Sequence, residues 1–270
     1  MNKLKLRILG QTSRSGPFRV KTGVNSCQFL DLCPRYIRKC VVRVPRWHME
    51  LGRIVPDAVI GRWNGKTVDF DEIQNPLRHS GDLRANDCIV VCVESPHKDE
   101  FEKRTNEISR PKPLRPLQGN TARLGMSLYL GEIIAAAIKE MSKNGVPLPR
   151  PGAKIVVANP VQHQASLHHL LPFPSGKRQK GADKLRVMLR DEVWRAVFNC
   201  DEVQRDFSSR LYDYRPSLIL LAPTKGVLPD LIRFLESTSW AWINVSAHPC
   251  QWSRVKPTLL GEASWRVRKT

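Results

Sequence analysis

Three side chains able to do chemistry each stand just beyond an apolar run. Glu94 follows Cys88-Ile-Val-Val-Cys-Val, Asn159 follows Lys154-Ile-Val-Val-Ala, and His248 follows Ala241-Trp-Ile-Asn-Val by three residues. A carboxylate offsets positive charge, a carboxamide offers both a donor and an acceptor, and an imidazole passes a proton near neutral pH. Proline comes within two residues of each, as Pro96, Pro160 and Pro249. Having no amide hydrogen and biasing its predecessor away from helix, proline stops these runs from continuing into helices. Each polar residue is therefore expected in a loop at the carboxyl end of a strand, where open α/β sheets place their ligands. A fourth feature, Gln118-Gly119, precedes a segment that starts like a helix at Asn120 or Thr121. Free amide hydrogens and the helix dipole favour negative charge there. Each residue also has a purely structural reading: Glu94 paired with an arginine, Asn159 as the first residue of an Asn-Pro turn, His248 as a satisfied structural histidine.

The elements that must position these groups follow from periodicity. The runs ending at Glu94 and Asn159, with Ser217-Leu-Ile-Leu-Leu-Ala222 and Ala241–Val245, are short, continuous and β-branched or aliphatic. That is the pattern of strands buried on both faces. Between the first two, Leu124, Leu128, Ile133, Ile134, Ala137, Ile138 and Met141 recur at helical spacing, and Gly145 ends the segment. Further helices are expected over 183–198, 201–212 and 227–236. The alternation predicts an α/β fold with a mostly parallel central sheet of about four strands and helices on both faces. Right-handed crossovers then bring every strand end to one rim. Upstream, Ile60–Phe70 with Asn64-Gly65 at its centre reads as a β-hairpin. We divide the chain into a basic N-terminal extension, 1–86, packed on an α/β domain, 87–270.

The 270 residues carry 44 Lys+Arg against 25 Asp+Glu, a net charge of +19 and a pI near 10.1. Such a field attracts polyanions, above all nucleic acid. Residues 1–50 hold eleven Lys/Arg and two acids, with Tyr36 and Trp47 among the cations, a pairing suited to phosphate contact and base stacking. The loop 173–186 has five bases and one acid. From it Lys177, Arg178 and Lys180, together with Arg254, are candidate DNA contacts. Seven cysteines with no CxxC pair argue against a disulfide framework and for a reducing compartment. Neither Cys27, Cys33 and Cys40 nor His168-His169 reads as a metal site. No apolar stretch reaches the ~20 residues of a membrane span, and no signal-peptide core follows the N-terminus. The expectation is a soluble, cytoplasmic monomer without metal or cofactor.

In order, Val93-Glu94-Ser95-Pro96-His97, Pro116-Leu117-Gln118-Gly119, Ala158-Asn159-Pro160-Val161-Gln162-His163 and His248-Pro249-Cys250 form a series. Over about residues 86–252 it resembles the uracil-DNA glycosylase superfamily. The iron–sulfur-bearing branches of that superfamily have Gly-Glu-Ala-Pro-Gly, Pro-Phe-Val-Gly, Thr-Asn-Val-Val-Lys-Cys and a closing His-Pro at the matching places. His163 stands where those branches have a ligating cysteine, the early CxxC is missing and Cys200 is the one remnant, so no iron–sulfur cluster is expected. Leu117 replaces the stacking phenylalanine and His97 the glycine after proline. Both changes alter the surface that would hold a base.

The resemblance implies hydrolysis of an N-glycosidic bond, in which the sugar gains positive and the departing base negative charge. Glu94 would position water and offset the oxocarbenium charge, and His248 would donate to the base. Asn159 would read the base edge, with the amides at Gln118 and Gly119 holding a base carbonyl. Leu117, His97 and Gln162 complete the candidate pocket. The nucleotide must first leave the duplex stack, and Trp252 is the candidate wedge. The altered pocket and the basic extension fit a base bulkier than uracil, such as the glucosylated hydroxymethylcytosine that phage-defence members of the superfamily remove from viral DNA. Plain uracil repair is the alternative within this chemistry. Two other classes remain: a metal-dependent nuclease using Glu94, His97, Asp99 and Glu100, and a non-catalytic nucleic-acid binder.

Overall fold

The computed structural model describes residues 3–8, 18–25, 48–51, 55–70, 88–96, 120–162 and 180–265. In chain order the strands are β1 (Lys3–Ile8), β2 (Phe18–Asn25), β3 (His48–Leu51), β4 (Ala58–Trp63), β5 (Val68–Phe70), β6 (Cys88–Cys92), β7 (Ala153–Ala158), β8 (Pro216–Leu221), β9 (Trp242–Val245) and β10 (Leu259–Ser264). The helices are α1 (Asn120–Lys143), α2 (Lys180–Phe198), α3 (Asp201–Tyr214), α4 (Leu228–Glu236) and α5 (Pro249–Trp252). These fall into two compact units. The first holds β1–β3, α2 and the start of α3, with strand order β2-β1-β3 and α2 running along β2.

The second unit is built on a seven-stranded sheet of order β10-β9-β8-β6-β7-β4-β5. β9, β8, β6 and β7 are mutually parallel, with Val90 opposite both Val156 and Ile219. β10 adds antiparallel at one edge, and the β4–β5 hairpin at the other. The four strands read from the sequence are thus the parallel centre of a larger mixed sheet. The three extra strands lacked the signal of a buried run. β4 and β5 belong to the stretch taken as an extension, and β10 (Leu-Leu-Gly-Glu-Ala-Ser) is half exposed and polar at its middle. The expected hairpin is present, and Asn64 Oδ1 accepts from the amides of Lys66 and Thr67 at 3.0 and 2.8 Å, closing its turn.

Alternation along the central strands splits the core in two. Ile89, Val91, Ile155, Val157, Leu218, Leu220, Ile243 and Val245 pack with Met126, Leu130, Ile134, Ala137 and Met141 of α1. Cys88, Val90, Cys92, Val156, Ala158, Ile219 and Leu221 point the other way and are as fully buried. There Cys88 Sγ meets the carbonyl of Tyr214, the last residue of α3, at 3.1 Å. Burial raises the thiol pKa of Cys92, and the charges of Asp57 and Arg210 act on it from that side. Helices on both faces and apolar runs through the middle agree with the sequence reading. So do the helical segments: α1 ends where Gly145 turns left-handed (φ 65°), and 201–212 extends only two residues, to Tyr214.

Candidate functional site

Because the four central strands are parallel, their carboxyl ends share one rim. β6 leads through α1 to β7 on one side, whereas β8 leads through α4 to β9 on the other. The chain thus reverses its direction of travel between β6 and β8, the kind of switch point at which open α/β sheets place their ligands. Glu94 lies there. The Val93 amide donates to the Ala158 carbonyl at 3.0 Å, and the Ala222 amide donates to the Cys92 carbonyl at 2.9 Å. In that register Val93 lies opposite Asn159 and Glu94 stands one residue further out, with the Pro223-Thr224 turn on the other side.

Glu94 is 7% exposed. Its Oε2 accepts from the Thr224 hydroxyl at 2.5 Å and from the Thr224 amide at 3.2 Å. Two donors on one carboxylate oxygen fix its orientation. Asn159 is 1% exposed, and its backbone is held from both sides. Its amide donates to Asp57 Oδ1 at 3.1 Å, and its carbonyl accepts from Arg210 Nη2 at 3.1 Å. The same Nη2 donates to the Pro160 carbonyl at 3.2 Å. Asp57 Oδ2 accepts from Arg210 Nη1 and, at 2.9 Å, from the Tyr214 hydroxyl. Arg210 Nε reaches Asp206 at 2.9 Å. Burial works against the Arg210 charge, but Asp57 and Asp206 outweigh it and hold the guanidinium protonated. Burial and the Asp57 charge push the Tyr214 phenol well above its usual range, so it stays a donor.

His248 follows β9 and caps α5, its Nδ1 accepting from the Cys250 amide at 3.3 Å with Cys250 Sγ at 3.0 Å. A backbone N–H can only donate, so Nδ1 is the acceptor and the neutral ring carries its proton on Nε2. That is the tautomer able to donate a hydrogen bond away from α5. α1 presses on this corner: a Cβ at Gly125 would stand 2.3 Å from the Pro249 carbonyl oxygen. The start of α1, which follows Gln118-Gly119, is thereby tied to the turn that carries His248.

Family models, curated proteins and solved structures were compared with the chain, and none matches.

Glu94, Asn159 and His248 each follow one of three parallel strands and so stand on the same rim of the sheet. Gln162 is buried, its carbonyl accepting from the Val55 amide at 3.0 Å. Arg254 is exposed just past α5. Leu117, Gln118, Gly119, His97, Lys177 and Arg178 lie outside the described residues, as do Asp99 and Glu100, and Lys180 is placed only as the first residue of α2. Trp252 is a correction. It is fully buried in the core, and its Nε1 donates to the Ala247 carbonyl at 2.8 Å. A wedge must project into the duplex, whereas this indole holds α5 onto the sheet. Cys200 donates to the Ala196 carbonyl at 3.4 Å, and burial, then Glu202 and Asp201, push it up to about 11. Among the described residues no three His, Cys, Asp or Glu side chains group as a metal site, and no helix is long and apolar enough to cross a membrane.

Asp57, Arg210, Tyr214, Thr224 and Gly125 were missed in the sequence. Asp57 offered a faint signal, an acid just after Val55-Pro56 and ahead of an apolar run. Thr224 follows a predicted strand, as the other rim residues do, but a hydroxyl carries no charge to single it out. Arg210 is one of many arginines and had nothing to mark it.

Proposed function

We propose that the protein is a monofunctional DNA glycosylase that hydrolyses the N-glycosidic bond of an extruded base and leaves an abasic site. One observation carries the reading: an acid, an amide and an imidazole from three distant stretches end on the same rim, with the acid at the switch point. The C1′–N bond breaks with its electron pair going to the base, and the sugar becomes an oxocarbenium ion. Glu94, aligned by Thr224, offsets that charge and takes the proton of the water that adds to C1′. His248 donates from Nε2 to the departing base, and Asn159 presents its carboxamide to the base edge. The net charge of +19 supports a DNA substrate, and binding should weaken steeply with salt. The base we favour is a bulky modified pyrimidine such as glucosylated hydroxymethylcytosine, a phage-defence role. This rests on the departures from the family pattern at Leu117 and His97, and on the basic N-terminal stretch.

The test is a panel of duplex and single-stranded DNAs bearing uracil, hypoxanthine or glucosylated hydroxymethylcytosine, each incubated and then treated with alkali. Alkali-dependent strand scission on one of them is expected, unaffected by EDTA and abolished by Glu94→Gln without loss of DNA binding. Cleavage that needs no alkali and dies with EDTA would assign a nuclease instead. Folded protein that binds every DNA and cuts none would leave a binding module.

A further inference from the structure

The Asn159–Pro160 turn is held more firmly than a strand end requires. An Asn-Pro turn forms on its own, yet here the amide and carbonyl of Asn159 and the carbonyl of Pro160 are all taken up by one buried ion pair. That pair is itself braced. Asp57 Oδ2 takes Arg210 Nη1 and the Tyr214 hydroxyl, Asp206 takes Arg210 Nε, and the Phe207 ring lies 5.1 Å beneath the guanidinium carbon. Asp206, Arg210 and Tyr214 are spaced four apart and so share one face of α3. Asp57 approaches from the start of β4, which pairs with β7. Burying an ion pair is costly unless its hydrogen bonds are satisfied, and two of those that satisfy this pair fall on the amide and the carbonyl of Asn159.

The side chain of that residue is in the opposite condition. Asn159 Oδ1 is buried and has no hydrogen-bond partner, in a residue whose backbone is fully held. Buried polar atoms are nearly always paired, so an unpaired one on a rim of this kind points to a ligand donor. We propose that Asp57, Arg210 and Tyr214 are positioning residues that keep Asn159 Oδ1 unpaired by protein, so that it can accept from an N–H of the bound base. They govern which base is accepted more than how fast its bond breaks. The identity of the ligand rests on the glycosylase reading, but the clamp on Asn159 does not.

Tyr214→Phe removes one hydroxyl, and Arg210→Lys keeps the charge but loses the fork that reaches Asn159 and Pro160. Two readouts are needed. Amide hydrogen exchange at Asn159 should quicken about ten-fold or more in both variants, relative to Val156 and Val157 of the same strand. Global destabilisation would instead quicken all three alike. On the DNA panel, the ratio of kcat/KM between the preferred base and the next best should shrink about ten-fold, with kcat on the preferred base changed much less. Exchange at Asn159 that keeps step with Val156 and Val157 in both variants would overturn the clamp, even in an active enzyme. Faster exchange with an unchanged selectivity ratio would overturn the specificity role. Wild-type protein that makes no abasic sites on any DNA would sink the glycosylase reading, and exchange alone would then decide the clamp.

Discussion

Replacing Gly125 by alanine adds one methyl group and should cost more than a methyl group normally does. The new Cβ would stand 2.3 Å from the Pro249 carbonyl oxygen, 2.8 Å from Trp252 Cβ and 3.3 Å from the Ser253 amide nitrogen. A relaxed C···O contact is about 3.3 Å or longer, so α1 and α5 must part by about 1 Å. Nothing nearby yields easily, because the obstacles are backbone and a fully buried indole. In an ordinary helix interior, glycine to alanine gains about 1 kcal/mol of helix propensity. Overpacking at a rigid contact costs about 1–3 kcal/mol. The clash should therefore cancel the gain and leave a net loss of up to about 2 kcal/mol. For a chain of this size a loss of about 2 kcal/mol corresponds to a Tm lower by roughly 4–8 °C. Pro249 adjoins His248, so the same displacement moves the imidazole, and a shift of about 1 Å at a reacting group can cost roughly a hundred-fold in rate. Urea or thermal unfolding measures the first effect, and single-turnover abasic-site formation on the best substrate measures the second. A variant more stable than the wild type, with the propensity gain showing through, would refute the close approach. Lost stability with an unchanged single-turnover rate would refute the link between α1 and His248.

Thr224→Val keeps the amide that reaches Glu94 and removes the hydroxyl. A charge-assisted hydrogen bond worth about 1.5–3 kcal/mol in the transition state predicts a rate about 10- to 100-fold lower. Thr224→Ser should recover most of it, and a serine variant no faster than the valine variant would remove Thr224 from the site. Stability should also fall on the alkaline side. Cys92, Cys200 and Tyr214 all have raised values in the fold, so the unfolded chain loses their protons first. Their contribution is whole below about pH 8.5 and declines as pH rises toward the folded values. Cys200→Ala should flatten the part of that decline between 9.0 and about 11, measured by urea midpoints across the range. An unchanged slope would mean that the thiol is not buried as described.

What could be read in the chain and what could not differ by range. Val90, Val156 and Ile219 each sit in uninterrupted apolar runs, and such runs are diagnostic because a strand buried on both faces tolerates nothing else. The prolines after Glu94, Asn159 and His248 marked where those strands stop, so the rim was legible residue by residue. β10 was invisible because a half-exposed edge strand carries a mixed pattern that many loops share. Trp252 was misread because an aromatic close to a candidate histidine looks the same whether it projects or packs. Its Nε1 bond to Ala247 and its burial are decided by α1, whose glycine lets α5 come close. The partnership of Asp57 with Arg210 spans 153 positions. No local spacing rule reaches that far.

A strand end is a poor place to hold a side chain still, because the hydrogen-bond ladder that fixes the backbone stops there. Catalysis and recognition nonetheless need such groups held to a fraction of an ångström. Each of the three rim residues has its own brace drawn from elsewhere in the chain. Thr224, from the loop after β8, holds Glu94 at the end of β6. Asp57 and Arg210, from the start of β4 and from α3, hold Asn159 at the end of β7. The bare face of Gly125 in α1 lets the His248 turn seat after β9. The same division accounts for part of the arginine excess. Arg210 works inside the fold, where its charge is matched by Asp57 and Asp206, so net charge by itself overstates how much of the basic surface faces a polyanion. A count of cations alone would support only a binder. On the glycosylase reading proposed above, the braces on the acid, the amide and the imidazole are what would separate an enzyme from a surface that merely attracts DNA.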